Sequence, residues 1–233
     1  MKNQISISHF THVISTIAGD KLSLITARSS TGDLWPTLGQ TDAVTVMVVN
    51  LFFPNPDILP VRGFGYLLPR SIPLEQNPER ALGVVFDSDA SIGQDDVPGT
   101  KVTVMLGGHW WDDFDTYPDE DEGASMAKAV LGRHLGIVQE PRVVRVSLQH
   151  DCIPQYGVGH DDRMADASRV LKDWKGRLRV AGNSFTGVGL NDCVRAARDV
   201  VKGFVDGTGE TGLDSFVGGK KWSWVKAEDR KVG

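Results

Sequence analysis

The sequence contains 233 residues, of which 40% are hydrophobic, and its 25 basic and 30 acidic side chains give a net charge of −5. This length suits either one large domain or a piece of a two-domain enzyme, and the apolar content is sufficient for a buried core. No basic face stands out that would neutralise a phosphate backbone, which excludes nucleic acid as a partner.

The first half of the sequence predicts strands. His12–Ala18 is typical of a strand in the middle of a protein, and we therefore expect that upstream sequence is missing. Ala43–Phe53 is rich in Val, Met and Phe and predicts a buried strand, because it is shorter than the roughly 20 residues of a membrane-spanning helix. Leu82–Phe86 and Val102–Leu106 are two further apolar runs, and they predict a hairpin with a long loop.

The middle of the sequence is acidic and then alternates in polarity. Asp112–Glu122 holds seven acidic residues, and we interpret it as a solvated loop rather than a calcium loop, whose carboxylates lie at regular offsets around a glycine. Ala124–Leu135 predicts a helix that ends at Gly136. Arg142–Gln149 has the alternating pattern of a strand that is covered unequally on its two sides.

The last third predicts helix, strand, turn and helix. Asp161–Trp174 has near-helical apolar spacing, and Leu178–Ala181 resumes an extended pattern. A turn at Gly182–Cys193 leads into a helix that runs to about Val205. We expect the buried stripe of this helix at four residues: Val194, Ala197, Val201 and Phe204. The glycine-rich, charged residues beyond Phe204 predict a loose tail, and the mixture of elements indicates an α/β or α+β layered domain.

The turn at Gly182–Cys193 is the segment with the clearest chemical meaning. Its glycines permit close backbone approach, and a helix N-terminus offers free N–H groups and the positive end of a dipole. These features suit a pyrophosphate or the electron-rich edge of a flavin, although an ordinary tight turn has the same spacing. Gly207–Gly212 spells Gly-x-Gly-x-x-Gly, but it precedes no apolar helix and is therefore not a dinucleotide site.

Residues 181–193, with the sequence AGNSFTGVGLNDC, are similar to the C-terminal flavin motif of protoporphyrinogen oxidases. Five other blocks match that family in the same order: Val13–Ile17, Gly63–Pro69, Val84–Ser88, Thr103–Gly108 and Ile153–His160. The resemblance spans about Val13–Val205. It implies an FAD-dependent oxidoreductase of haem biosynthesis that oxidises protoporphyrinogen IX to protoporphyrin IX, with molecular oxygen as the acceptor.

The resemblance also implies an α/β fold in which part of a substrate-binding domain with a mixed sheet occupies residues 1–150. The C-terminal strand-turn-helix of a Rossmann-like FAD-binding domain would follow at residues 151–206, and a flexible tail at residues 207–233. Members of the family begin with a Gly-x-Gly-x-x-Gly turn that holds the FAD pyrophosphate. This chain lacks it in the right place, so we expect a missing N-terminal half as a partner and little activity from the chain alone.

Matching positions in the family imply two sets of contact residues. Asn183, Val188, Gly189 and Leu190 would contact FAD through their backbone. Phe64, Leu67 and Met105 would line the tetrapyrrole cavity, the alternative being ordinary core packing. No catalytic side chain is assigned, since removal of hydride by a flavin depends chiefly on placement.

Other residues with chemical potential are expected to have structural roles. His160 would orient a neighbour or cap a helix. Cys152 and Cys193 are too few for a disulfide framework and lack metal-ligand spacing, so we predict reduced thiols and no metal site.

For eukaryotic members, the resemblance further implies the mitochondrial inner membrane, peripheral membrane association and a homodimer. Two other functions remain open from the sequence. The chain would be another amine-oxidase-like flavin oxidoreductase, or a catalytically inactive chain that binds porphyrin or a partner subunit.

Overall fold

The computed structural model describes residues 9–27, 38–93 and 96–217. The chain divides into two compact units, one formed by residues 42–155 and the other by residues 1–41 with 156–233. We call the first the antiparallel-sheet unit and the second the parallel-strand unit. No helix among the described residues is long and apolar enough to cross a membrane.

The antiparallel-sheet unit is built on five strands in the order β3-β4-β5-β2-β6, with short helix α2 before β5 and helix α3 before β6. The described strands of this sheet all pair antiparallel, which differs from the predicted mixed sheet, and parallel pairing occurs instead in the other unit. The bounds are β2 Ala43–Phe53, β3 Gly65–Leu67, β4 Ala81–Val85, α2 Asp87–Ala90, β5 Thr100–Gly107, α3 Glu120–Leu135 and β6 Val143–Pro154.

One face of this sheet forms the larger hydrophobic core. Alternate side chains of the central strand β2 point to that face because successive side chains of a strand point to opposite sides. They pack against β5 and α3, and the fully buried members include Met47, Val49, Leu51, Phe53, Val102, Val104, Leu106, Val130 and Leu131. The strand predicted at Ala43–Phe53 and the hairpin of β4 and β5 are thereby confirmed.

Helix α3 begins four residues before the predicted Ala124. The Asp119 carboxylate accepts a hydrogen bond from the Glu122 N–H, and the Glu122 carboxylate accepts one from the Asp119 N–H. This capping box satisfies two backbone donors, and acidic side chains in a first turn suit the positive end of the helix dipole. The last three residues of the acidic segment that was predicted as a loop, Glu120–Glu122, therefore start a helix, which ends at the predicted Gly136.

The parallel-strand unit joins segments from both ends of the chain. Strand β1 pairs parallel with β7, with Val13 opposite Leu178 and Ser15 opposite Val180. The described residues before 42 therefore lie in this unit, whereas the predicted boundary placed them in a domain of residues 1–150. The bounds are β1 Val13–Ser15, α1 Gly19–Ala27, α4 His160–Lys172, β7 Leu178–Val180 and α5 Leu190–Asp206. The core of the unit includes Leu22, Leu38, Met164, Leu171, Val180, Phe185 and Leu213.

The segment after α5 is packed rather than loose up to residue 217. The Val180 N–H donates to the Thr211 carbonyl, so this segment covers the edge of β7 that β1 leaves open. Thr211 and Leu213 are both fully buried. Gly212 has a φ of +85°, and a Cβ there would lie 2.1 Å from the Val180 carbonyl oxygen, so only glycine fits. Residues 218–233 of the predicted tail lie outside the described residues.

Candidate functional site

The turn at residues 182–189 joins the carboxyl end of β7 to the N-terminus of α5. In open α/β sheets, ligands bind outside the carboxyl ends of parallel strands. Gly187 has a φ of +152°, and a Cβ there would lie 2.5 Å from Cβ of Asp192, so the turn closes tightly over the helix start. Phe185 is fully buried and anchors the middle of the turn in the core. The conformation of the turn is therefore fixed by contacts of its own residues.

Tyr156 ties the two ends of this turn together. Its hydroxyl donates to the Asn183 carbonyl and accepts from the Gly187 N–H, the latter over 2.9 Å. The ring of Tyr156 stacks on that of His160, with 3.8 Å between centroids. Burial raises the pKa of Tyr156, so the hydroxyl remains protonated and able to donate.

His160 supports the turn from beneath. Its Nε2 lies 2.8 Å from the Phe185 carbonyl oxygen, and because a carbonyl only accepts, Nε2 carries the proton. Burial lowers the pKa of His160, which favours this neutral form. The predicted orienting role is confirmed, whereas the capping role is not, since the N-cap of α4 is Gly159.

The N-terminus of α5 is open to a ligand. Its N-cap residue is Gly189, and no side chain caps the helix. The neighbouring Val188 and Leu190 are 47% and 80% exposed. A helix leaves its first N–H groups without intrahelical partners, so this end presents donors at an accessible surface. Three of the four residues predicted to contact FAD thus lie together at this point, and Asn183 lies at the other end of the turn.

Asp192 places a carboxylate beside the same helix end. Its Oδ2 would lie 3.1 Å from a Cβ at Gly189, and its other oxygen forms an ion pair with Arg195. A carboxylate in the first turn already complements the positive end of the helix dipole. A strongly anionic ligand at this end would therefore be repelled, whereas a ligand that is neutral and rich in acceptor atoms would not.

Two of the predicted cavity residues, Leu67 and Met105, lie on the face of the antiparallel sheet opposite the core, which we call the open sheet face. Strand register places Leu67 opposite Gly83, Gly83 opposite Met105, and Met105 opposite Val48, so these residues form one row across four strands. Leu67 is 76% exposed. Phe64, just before β3, is 73% exposed, and core packing therefore does not account for either side chain. The structure brings Leu67 and Met105 to one face of the sheet, whereas the Phe86 N–H donates to the Phe64 carbonyl, so Phe64 lies opposite the buried Phe86 and does not belong to that row.

Sequence reasoning missed two other apolar members of this surface. Val48 belongs to the Met105 row, and Val85 lies one pair further along, opposite Thr103. The alternation within β2 could have identified Val48. Successive side chains of a strand point to opposite faces, so Val48 points away from the core that contains its neighbours Met47 and Val49.

The predicted buried stripe of α5 is wrong. The residues that face the core are the small Ala196, Val200 and Gly203. The predicted set of Val194, Ala197, Val201 and Phe204 is exposed, and together with Leu190 it forms what we call the α5 stripe. At its far end, the Phe204 ring contacts the His12 ring edge-on at 5.0 Å. The spacing of the apolar residues correctly indicated that they share one face of α5. It did not indicate that the opposite face is the one that packs against the core.

Two solved structures share this fold. A crystal structure from Exiguobacterium sp. 255-15, assigned as a protoporphyrinogen oxidase, matches with a TM-score of 0.65 at 21% identity over 83% of this chain and 40% of that one. Reduced UDP-galactopyranose mutase matches with a TM-score of 0.64 at 12% identity over 91% of this chain and 45% of that one. The helices and strands of this shared fold confirm the predicted α/β class.

Comparison of the sequence with curated proteins identifies one group that part of this chain matches. The chain is a homologue of part of the protoporphyrinogen oxidases, with 37% identity to that of Schizosaccharomyces pombe over 66% of this chain and 37% identity to that of Homo sapiens over 80% of it. A weaker match, of 35% over 31% of the chain, is to a coproporphyrinogen III oxidase of Propionibacterium freudenreichii. No family model matches. The chain spans 31% and 39% of the lengths of the first two relatives.

Proposed function

We propose that this chain supplies one wall of the flavin site and the substrate-binding sheet of an FAD-dependent oxidase that converts protoporphyrinogen IX to protoporphyrin IX. The observation that carries the proposal is the rigid turn between β7 and α5, which ends at an uncapped helix start in a homologue of protoporphyrinogen oxidases. FAD, when bound, supplies the acceptor for hydride removed from the substrate. The chain's own residues bind and orient the reactants.

The geometry favours the flavin edge over the pyrophosphate as the part of FAD that meets α5. The N–H groups at Gly189 and Leu190 are donors, and a flavin edge presents acceptor atoms without a full negative charge. The carboxylate of Asp192 already occupies the favourable anionic position beside this helix end. Asn183 and Val188 would contribute through the backbone of the same turn, which Tyr156 holds closed.

The open sheet face suits the apolar ring system of a reduced tetrapyrrole. Leu67, Met105 and Val48 provide adjacent apolar contacts in one row. Ligand sites are predominantly apolar with a few polar groups that fix orientation. Phe64 is exposed just before β3, and the resemblance to the family supports an aromatic contact from its ring.

A complementary segment is part of this proposal. Among the described residues, β1 and β7 form a two-stranded parallel sheet in which no strand pairs with the other edge of β1, and parallel sheets are normally covered on both faces. Val13 and Ile14 of β1 are about half exposed, as is most of the α5 stripe. We assign the missing N-terminal half of the oxidase as the occupant, because the matched relatives contain more than half of their length outside this chain. A strand added beside β1 would cover this apolar surface.

The remaining parts of the proposal rest on the resemblance to the family. They are molecular oxygen as the acceptor, a role in haem biosynthesis, a homodimer, peripheral association with a membrane, and the mitochondrial inner membrane as the location.

Two experiments test the function. The purified 233-residue chain is examined by visible absorption, first alone and then after co-expression with the part of a curated relative that this chain does not match. We expect a colourless chain alone and a flavin-containing, active oxidase after complementation. Turnover of an amine in place of protoporphyrinogen would indicate another amine-oxidase-like flavoenzyme. Porphyrin binding without flavin in the complemented protein would indicate a non-catalytic binding chain.

A further inference from the structure

Arg145 lies on the open sheet face together with Leu67 and Met105, two of the predicted cavity residues. Strand register places Arg145 of β6 directly opposite Asn50 of β2, and Asn50 directly opposite Thr103 of β5. Directly paired residues point to the same side of a sheet, and so do residues two positions apart in one strand. Asn50 is two residues from Val48, and Thr103 is two residues from Met105. Arg145 therefore points to the side of the sheet that carries the apolar row.

The polar groups between Arg145 and the rest of this face form a short hydrogen-bonded chain. The side-chain amide of Asn50 donates to the Thr103 hydroxyl over 2.7 Å, and that hydroxyl donates to the Asp87 carboxylate over 2.8 Å. The negatively charged Asp87 carboxylate therefore already accepts a hydrogen bond at the β4 end of this row. Arg145 stands at the opposite end, two strand spacings or about 10 Å from Thr103.

Arg145 is exposed, and its guanidinium forms no ion pair with another residue in the part of the chain that the structure describes. The other cation that the register places on this face is Lys101, opposite Phe52. The face therefore has an apolar centre around Met105 and a cationic side at Arg145. Two strand spacings and two residues along the strands separate their Cα atoms, which corresponds to about 12 Å.

A porphyrinogen has the matching distribution of groups, because its ring is apolar and its edge carries two carboxylates. Arginine recognises a carboxylate through two parallel N–H···O bonds, which fixes the orientation of a ligand as well as its position. We propose that Arg145 binds a carboxylate of the substrate and sets the orientation of the tetrapyrrole on the open sheet face. This inference rests on the proposed function and adds a specificity-determining residue to it.

The test is a fluorescence titration of the 233-residue chain with protoporphyrin IX and with its dimethyl ester, which lacks both carboxylates. We expect Arg145→Gln to weaken binding of the free acid about tenfold and to leave binding of the ester unchanged. Arg145→Lys retains the charge without the planar fork and should give an intermediate affinity. Leu67→Ser should weaken both ligands equally.

Arg142→Gln is the matched control, because the same charge is lost three residues earlier, at a position whose parity assigns it to the other side of the sheet. It should leave both titrations unchanged. Equal affinities of Arg145→Gln and the unaltered chain for the free acid would overturn the role of Arg145 and leave the porphyrin site standing. Failure of the unaltered chain to bind either ligand would refute the porphyrin site, and the role of Arg145 with it.

Discussion

Replacing Tyr156 by Phe tests the turn that is proposed to carry the flavin contact. The substitution removes only the hydroxyl that bridges Asn183 and Gly187, and it keeps the ring that stacks on His160. Each lost hydrogen bond contributes about 0.5–1.5 kcal/mol net, so we expect the free energy of unfolding to fall by about 1–3 kcal/mol. The measurement is urea unfolding of the chain alone, followed by flavin retention after complementation with the N-terminal part of a relative.

The matched control for this substitution is Tyr66→Phe in the antiparallel-sheet unit. It removes a hydroxyl that lies 2.9 Å from Nδ1 of His134, so the chemical change is the same, and the loss of this one hydrogen bond should lower the free energy of unfolding by about 0.5–1.5 kcal/mol. Only Tyr156→Phe should reduce flavin retention, because only that hydroxyl fixes the turn before α5. Equal flavin retention by the two variants would show that closure of the turn does not position the cofactor, and the reasoning would be refuted.

Three further predictions concern other parts of the molecule. Gly212→Ala should destabilise the chain by about 1–3 kcal/mol more than Gly93→Ala in urea unfolding, because a Cβ at Gly93 meets no atom within 4 Å. Burial lowers the pKa of His160 in the folded state. The contribution of neutral His160 to the free energy of unfolding is therefore complete above its unfolded-state pKa of about 6.5 and is lost as pH falls through the lower folded-state value. Between pH 7.5 and pH 5, the free energy of unfolding of His160→Gln should fall less steeply than that of the unaltered chain. Val194→Asp should change the free energy of unfolding of the chain alone by less than about 0.5 kcal/mol but prevent complementation. Asp199→Asn on the same helix should change neither stability nor complementation. Normal complementation by Val194→Asp would show that the α5 stripe is not the covered surface.

Local patterns in the sequence predicted the elements that are long or clearly punctuated. The strand Ala43–Phe53 is found with those bounds because ten of its eleven residues, all but Asn50, are β-branched or apolar and the run ends at a proline turn. The early start of α3 was also readable, since Asp119 and Glu122 have the spacing of a capping box. These features depend on residues within a few positions of one another.

Features that depend on distant pairing could not be predicted in this way. Strand β1 has only three residues, and nothing in its pattern specifies that it pairs with β7 more than 160 positions later. The segment around Thr211 and Leu213 was predicted as loose from its glycines, yet it packs because it completes the edge of β7. The tertiary partner decided the conformation in both cases.

Helix α5 has an exposed apolar face that the sequence pattern predicted to be buried. A helix whose apolar residues recur at 190, 194, 197, 201 and 204 has the spacing of a buried face, and burial of one such side chain contributes about 1.5–3 kcal/mol. On the other side of this helix, Ala196, Val200 and Gly203 are buried, and the lack of a side chain at Gly203 permits close approach to Gly209. The helix therefore has two packing faces, one of which is filled by its own unit. Complementation by an N-terminal segment would cover the second face, and the sequence pattern that failed to predict the isolated chain would then describe the assembled oxidase.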